Sequence, residues 1–172
     1  MLDSLRLEVI RPLVDIYCIA LDPGETTGIC IVRSSDEPWV FEYAQLGPYE
    51  HHLALYGLLV HLKPANIICE SFENRGQDAA ILASREYIGI VKMHLQRSEA
   101  TGVWQSASTG KKFWDDGKLK QHGLWIPGRK HARDAVRHYC YWRTFKENDL
   151  SLFKSDRFLP VEMKPMLPEG GP

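Results

Sequence analysis

The stretch IALDPGETTGICIV, residues 19–32, decides the fold. Two apolar runs flank a Pro-Gly turn, and the first run ends in an aspartate, Asp22. Apolar, β-branched runs separated by turn formers read as two strands of a hairpin. A carboxylate at the end of a buried strand is costly to desolvate unless it is paired, protonated or bound to a cation. What the chain does therefore turns on the partners it supplies for Asp22.

Outward from this hairpin, residues 15–22 and 28–33 form the two strands and residues 38–46 a third, giving an antiparallel meander. Leu53, Tyr56, Leu59 and Val60 recur at helical spacing within residues 49–62, and Lys63-Pro64 closes that helix. NIICE, residues 66–70, is a short strand that again ends in a carboxylate, Glu70. A helix over 78–97, a strand near 101–106, a short helix around STGKKFW, a turn at Asp116-Gly117 and a long helix over 129–146 follow. Cys18, Cys30, Cys69, Tyr87 and Trp142 belong to the core. The order predicts an α/β fold, a mixed five-stranded sheet with its first three strands antiparallel, flanked by helices. Residues 1–14 form an N-terminal extension, 15–147 the domain, and 148–172, rich in Pro and Gly toward its end, a tail expected to be flexible.

A chain of 172 residues is one domain able to bury a real core. No run approaches the ~18 apolar residues of a membrane span, and the charges within MLDSLRLEVIRPLVDI make a poor signal peptide. Four cysteines inside apolar runs, without C-x-x-C spacing, read as buried thiols of a cytoplasmic protein. The net charge of −1 hides a split. Residues 92–146 carry twelve Lys/Arg against four acids, a surplus of eight, whereas residues 1–91 carry six bases against thirteen acids, a deficit of seven. Such a split points to a face for a polyanion such as DNA, or to a solvated surface of uneven composition.

If the strands ending in Asp22 and Glu70 are neighbours, their carboxylates emerge together and repel unless a proton or cation lies between them. The terminal helix offers the rest: in HARDAVRH, His131 and Asp134 are i and i+3 on one face, and the stripe continues to His138. Each residue alone has a plainer explanation: Asp22 as a turn former, Glu70 as a surface acid, His131 and Asp134 as a solvated first turn. Together they make an oxygen-rich set with one imidazole, which suits Mg²⁺, with Mn²⁺ as substitute, better than zinc. Two such ions about 4 Å apart can clamp the attacking and leaving oxygens of a phosphodiester. Lys111, Lys112, Lys118, Lys120, Arg129, Lys130, Arg133 and Arg137 would hold DNA phosphates.

LDPGETTG after an apolar strand, IICESFENRG with its strand-end Glu, and HARDAVRH on a terminal helix resemble the RuvC-like Holliday junction resolvases of the RNase H-like superfamily. FWDDGKLKQHGLW ahead of the His-x-x-Asp helix is similar to their phage-encoded branch, which would place the chain in a bacterial host cytoplasm. The resemblance spans roughly residues 15–147. It implies a metal-dependent endonuclease, a homodimer acting on four-way junctions or other branched DNA, with Asp22, Glu70, His131 and Asp134 as catalytic metal ligands. By the same resemblance the products carry 5′-phosphate and 3′-hydroxyl ends. His131 either ligates an ion or shuttles a proton. Phe72 is the candidate for the family's junction-wedging aromatic, one residue early, with Arg75 as a further DNA contact in that loop. The helix over 78–97 offers Ala80, Ala83 and Ile88 to Met93 either to a dimer interface or to its own sheet. Competing readings are an RNase H-like nuclease for flaps or R-loops, a non-catalytic DNA-binding module, and a nucleotide-binding relative of the actin and sugar-kinase superfamily, suggested by DPGETTG.

Overall fold

A computed structural model of the chain describes residues 16–33, 39–46, 51–71, 79–150 and 158–162. The hairpin is present: β1 (Ile16–Asp22) and β2 (Thr27–Arg33) run antiparallel with Asp22 opposite Gly28, and β3 (Trp39–Leu46) pairs antiparallel to β2. After helix α1 (His51–Leu62), β4 (Asn66–Ser71) lies parallel to β1; after α2 (Ala79–Leu95), β5 (Thr101–Ser106) lies parallel to β4. Two short helices, α3 (Ala107–Phe113) and α4 (Asp116–Gln121), lead into α5 (Lys130–Phe145). The five expected strands are ordered β5-β4-β1-β2-β3, and a sixth, β6 (Phe158–Glu162), lies parallel to β3 at that edge.

Two elements differ from the sequence reading. Residues 158–162, placed in the C-terminal tail, pair with the sheet, and Pro160 is tolerated there because an edge strand leaves one side of its backbone unpaired. The turn expected at Asp116-Gly117 is instead the start of α4, because Asp115 caps it by accepting from the Lys118 backbone N–H at 2.8 Å.

The three central strands are buried on both faces, which is why they read as continuous apolar runs. Strand alternation divides them. Cys18, Ala20, Cys30, Val32 and Ile68 face α5, packing with Trp114, Tyr139, Cys140 and Trp142. Ile19, Leu21, Ile29, Ile31, Ile67 and Cys69 face α1 and α2, packing with Leu55, Leu59, Tyr87 and Val91. All four cysteines are free and buried. Helix α1 is apolar nearly all round, so its sequence does not reveal the inward face: Leu55 and Leu59 are buried, while Leu53, expected on that face, is 86% exposed and Val60 is exposed too.

Helix α5 is seated by two residues of neighbouring strands. A Cβ on Gly28 would lie 1.9 Å from the His131 carbonyl oxygen, so only glycine lets the first turn of α5 rest on β2. Gln45 on β3, paired with Gly28 on β2, turns its Oε1 onto the backbone N–H groups of His131 and Ala132 at 3.1 and 3.3 Å. The first turn of a helix has no internal acceptors for its N–H groups, and Gln45 supplies one from outside.

Candidate active site

Period-two alternation places Asp22 on the face of Cys18 and Ala20, and Glu70 on the face of Ile68, so both acids point toward α5. Leu21 pairs with Cys69, which sets Asp22 beside Glu70 where both strands end. Helix α5 crosses this end and adds His131 and Asp134. His131 Nδ1 lies 2.9 Å from Asp22 Oδ2. Asp134 pairs with Lys111 Nζ at 3.0 Å and with the Arg137 guanidinium. Glu70 Oε2 lies 3.0 Å from His138 Nε2. Asp22, Glu70 and Asp134 keep only 8%, 4% and 3% of their surface in contact with solvent.

The three carboxylates act within one field. Burial pushes the Asp22 carboxyl above the ordinary carboxylate range; the His131 hydrogen bond opposes this, and the charges of Glu70 and Asp134 add to the rise. The bond to Asp22 holds the His131 imidazole above its ordinary range against the opposing effect of burial. Burial pulls Lys111 down, but its bond to Asp134 and the fields of Asp134, Asp22 and Glu70 outweigh it and push the ammonium up. The charges of the neighbouring sequestered acids thus favour a proton or a cation beside Asp22. Their oxygens, with one imidazole, have the donor chemistry of a hard divalent cation, so Asp22, Glu70, Asp134 and His131 fit such an ion. As they stand, no three His, Cys, Asp or Glu side chains among the described residues converge closely enough to grip one. Each acid is drawn onto a basic neighbour of its own.

Four of the expected phosphate-holding residues gather around the same end. Lys111, Lys130, Arg133 and Arg137 line an open cleft of about 600 Å³ with Asp115, Asp116 and Asp134. Lys112, Lys120 and Arg129 are exposed. Lys118 lies 3.6 Å from the centre of the Phe113 ring, and Lys120 and Arg133 flank Trp125 at 4.6 and 4.3 Å. Arg137 departs from its expected role as a DNA contact. It is buried, donates Nε–H to the Trp114 carbonyl at 2.9 Å, and pairs with both Asp134 and Asp116, because its place on α5 faces α3 and α4. It holds Asp134 in place.

Phe72, Arg75 and the side chains of Ala80 and Ala83 lie outside the described residues. Of the remaining α2 face, Ile88 and Val91 pack on the sheet, whereas Met93 is exposed. Sequence reading did not find Gln45 or Gln105. Only the alternation of β5, which sets Gln105 two residues beyond the inward Val103, could have marked the latter.

No protein-family model matches the chain, and no curated protein matches it in sequence. The sheet and its helices define an RNase H-like α/β fold, shared with solved structures. T. thermophilus RuvC in complex with a Holliday junction substrate superposes with a TM-score of 0.57 at 14% identity, covering 76% of this chain and 95% of that one. A second Thermus thermophilus RuvC structure gives 0.53 at 13%, covering 75% and 96%. The fowlpox virus Holliday junction resolvase gives 0.50 at 9%, covering 73% and 96%. Among the described residues no helix is long and apolar enough to cross a membrane.

Proposed function

We propose that this chain is a divalent-metal-dependent endonuclease that cuts branched DNA, four-way junctions foremost, as a homodimer. One observation carries the reading: three sequestered carboxylates from β1, β4 and α5 lie toward one end of the sheet, beside a cleft lined with basic side chains. The structural neighbours, two of them RuvC and one a viral Holliday junction resolvase, support it. Asp22, Glu70, Asp134 and His131 would hold the metal, Mg²⁺ or Mn²⁺. When bound, it would supply Lewis acidity at the phosphate and a water more acidic than bulk water.

The chain's own residues do the rest. Lys130, Arg133 and the exposed lysines of α3 and α4 bind phosphate and fix the register of the duplex arms without reading bases. The Asp22–His131 pair holds a proton between Oδ2 and Nδ1, next to where charge develops. Lys111, kept cationic beside the acids, offsets negative charge as a phosphate approaches. Symmetric cutting of a four-way junction requires two such sites, which a twofold dimer supplies.

The test is cleavage of a labelled four-way junction beside matched linear, flap and R-loop substrates, with Mg²⁺, Mn²⁺ or EDTA, for wild type and Asp22→Asn. Paired symmetric nicks that need metal and vanish in Asp22→Asn are expected, with junction binding retained. Preference for flap or R-loop would reassign the substrate, and absence of metal-dependent cutting on every substrate would remove the nuclease reading.

A further inference from the structure

Behind Glu70 lies a chain of buried polar groups that this mechanism does not use. His138 Nε2 is 3.0 Å from Glu70 Oε2, and its other ring nitrogen, Nδ1, is 3.0 Å from Gln105 Oε1. Gln105 in turn donates its amide N–H to the His138 backbone carbonyl at 3.1 Å. His138 is 1% exposed and Gln105 6%. The register places Gln105 directly beside Glu70 on β5, and both face α5, where His138 sits two turns beyond His131.

The bonding leaves little freedom. Because the Gln105 amide nitrogen is committed to the His138 carbonyl, its oxygen faces Nδ1, and Nδ1 must carry a hydrogen to donate to it. The ring is thus fixed in orientation, and Nε2 is delivered to Glu70. At 3.0 Å in a buried site, Nε2 and Oε2 face each other as hydrogen-bond partners. Oε2 is therefore engaged, and among the described residues Oε1 has no hydrogen-bond partner. Burying three polar side chains costs more than packing apolar ones unless every bond is made. Here the chain of bonds ends on one carboxylate.

We infer that His138, oriented by Gln105, is the positioning residue for Glu70, fixing which carboxylate oxygen is presented to the metal. The inference rests on the metal-binding reading of the site. Outer partners of this kind tune a ligand's direction and basicity, and their loss weakens metal binding by about 10–100-fold.

Calorimetric titration of Mn²⁺ into the full-length protein tests it, for wild type, His138→Leu, His138→Gln, Glu70→Gln and the double variant Glu70→Gln/His138→Leu. His138→Leu should lose about 10–100-fold in Mn²⁺ affinity. His138→Gln, which restores an N–H near Nε2, should recover part of it. In the double variant His138→Leu should add nothing to the loss caused by Glu70→Gln, since a residue acting through Glu70 has no effect once Glu70 is disabled. Should His138→Leu fail to fold, Gln105→Leu carries the test: the hydrogen-bonded Nδ1–H resonance of His138 should disappear from the ¹⁵N spectrum and Mn²⁺ affinity should fall. Wild-type affinity in a folded His138→Leu or Gln105→Leu, or full additivity in the double variant, overturns the inference while leaving the metal site standing. A wild type that binds no Mn²⁺ overturns both.

Discussion

Replacing Gly28 by alanine should damage both stability and activity, although Gly28 touches none of the acids through a side chain. The new Cβ would lie 1.9 Å from the His131 carbonyl oxygen, 2.1 Å from its carbon and 2.7 Å from the Ala132 nitrogen. Comfortable contact begins near 3.5 Å, so α5 must retreat by roughly 1.5 Å. Every clashing atom is backbone, and no rotamer change relieves it. His131 and Asp134 ride on the displaced turn, while Asp22 and Glu70 stay on the sheet. Overpacking of this kind costs about 1–3 kcal/mol, which for a chain of this size lowers the melting temperature by roughly 2–12 °C. A misplacement near 1 Å at a reacting centre costs about 100-fold in rate. Differential scanning calorimetry and single-turnover junction cleavage, both on Gly28→Ala, measure the two effects. A variant that melts and cuts like wild type would refute the seating of α5 on β2 as the device that assembles the site.

Arg137 and Lys130 should separate cleanly. Arg137→Met leaves the buried Asp134 with Lys111 alone and the Trp114 carbonyl without its donor, and should cost about 1–3 kcal/mol in urea unfolding, whereas the exposed Lys130→Ala should leave the unfolding midpoint unchanged and instead weaken junction binding, reducing the salt slope by about one. Burial holds the His94 imidazole below its ordinary range, and its Nε2 has no hydrogen-bond partner among the described residues. The neutral form is the one the fold accommodates, so the stability it favours is present above the unfolded pKa of ~6.5 and is lost as pH falls through the lower folded value. The decline of the urea midpoint between about pH 7 and about pH 5 should therefore be shallower in His94→Leu than in wild type, and equal slopes would contradict this.

Much of the site was legible because strand chemistry is local. A run that is apolar on both faces and closes on an acid, as IALD and IICE do, announces both its burial and the face of that acid. Spacing on α5 likewise put His131 and Asp134 on one stripe before any contact was known. What stayed hidden depends on which element lies opposite. Arg137 reads like its basic neighbours, and only the arrival of α3 and α4 against its side of α5 turns it inward onto Asp134 and Asp116. Leu53 and Leu55 are alike in a helix apolar all round, and packing alone chooses between them. β6 depends on pairing with β3, more than a hundred residues earlier in the chain, and its proline argues locally against a strand.

Gln45 and Gln105 show the same division at the level of function. Neither glutamine sits in a motif, and each would pass for a surface residue. Yet Gln45 satisfies the first amides of the helix that carries His131 and Asp134, and Gln105 orients the imidazole bonded to Glu70. The groups proposed to meet a phosphate must have particular chemistry, so their residue types betray them. Those that aim them need only a donor or acceptor at the right place, which many side chains could supply. The acids of this site are therefore readable from the chain as text, whereas their supports become readable only once β3, β5 and α5 are brought together.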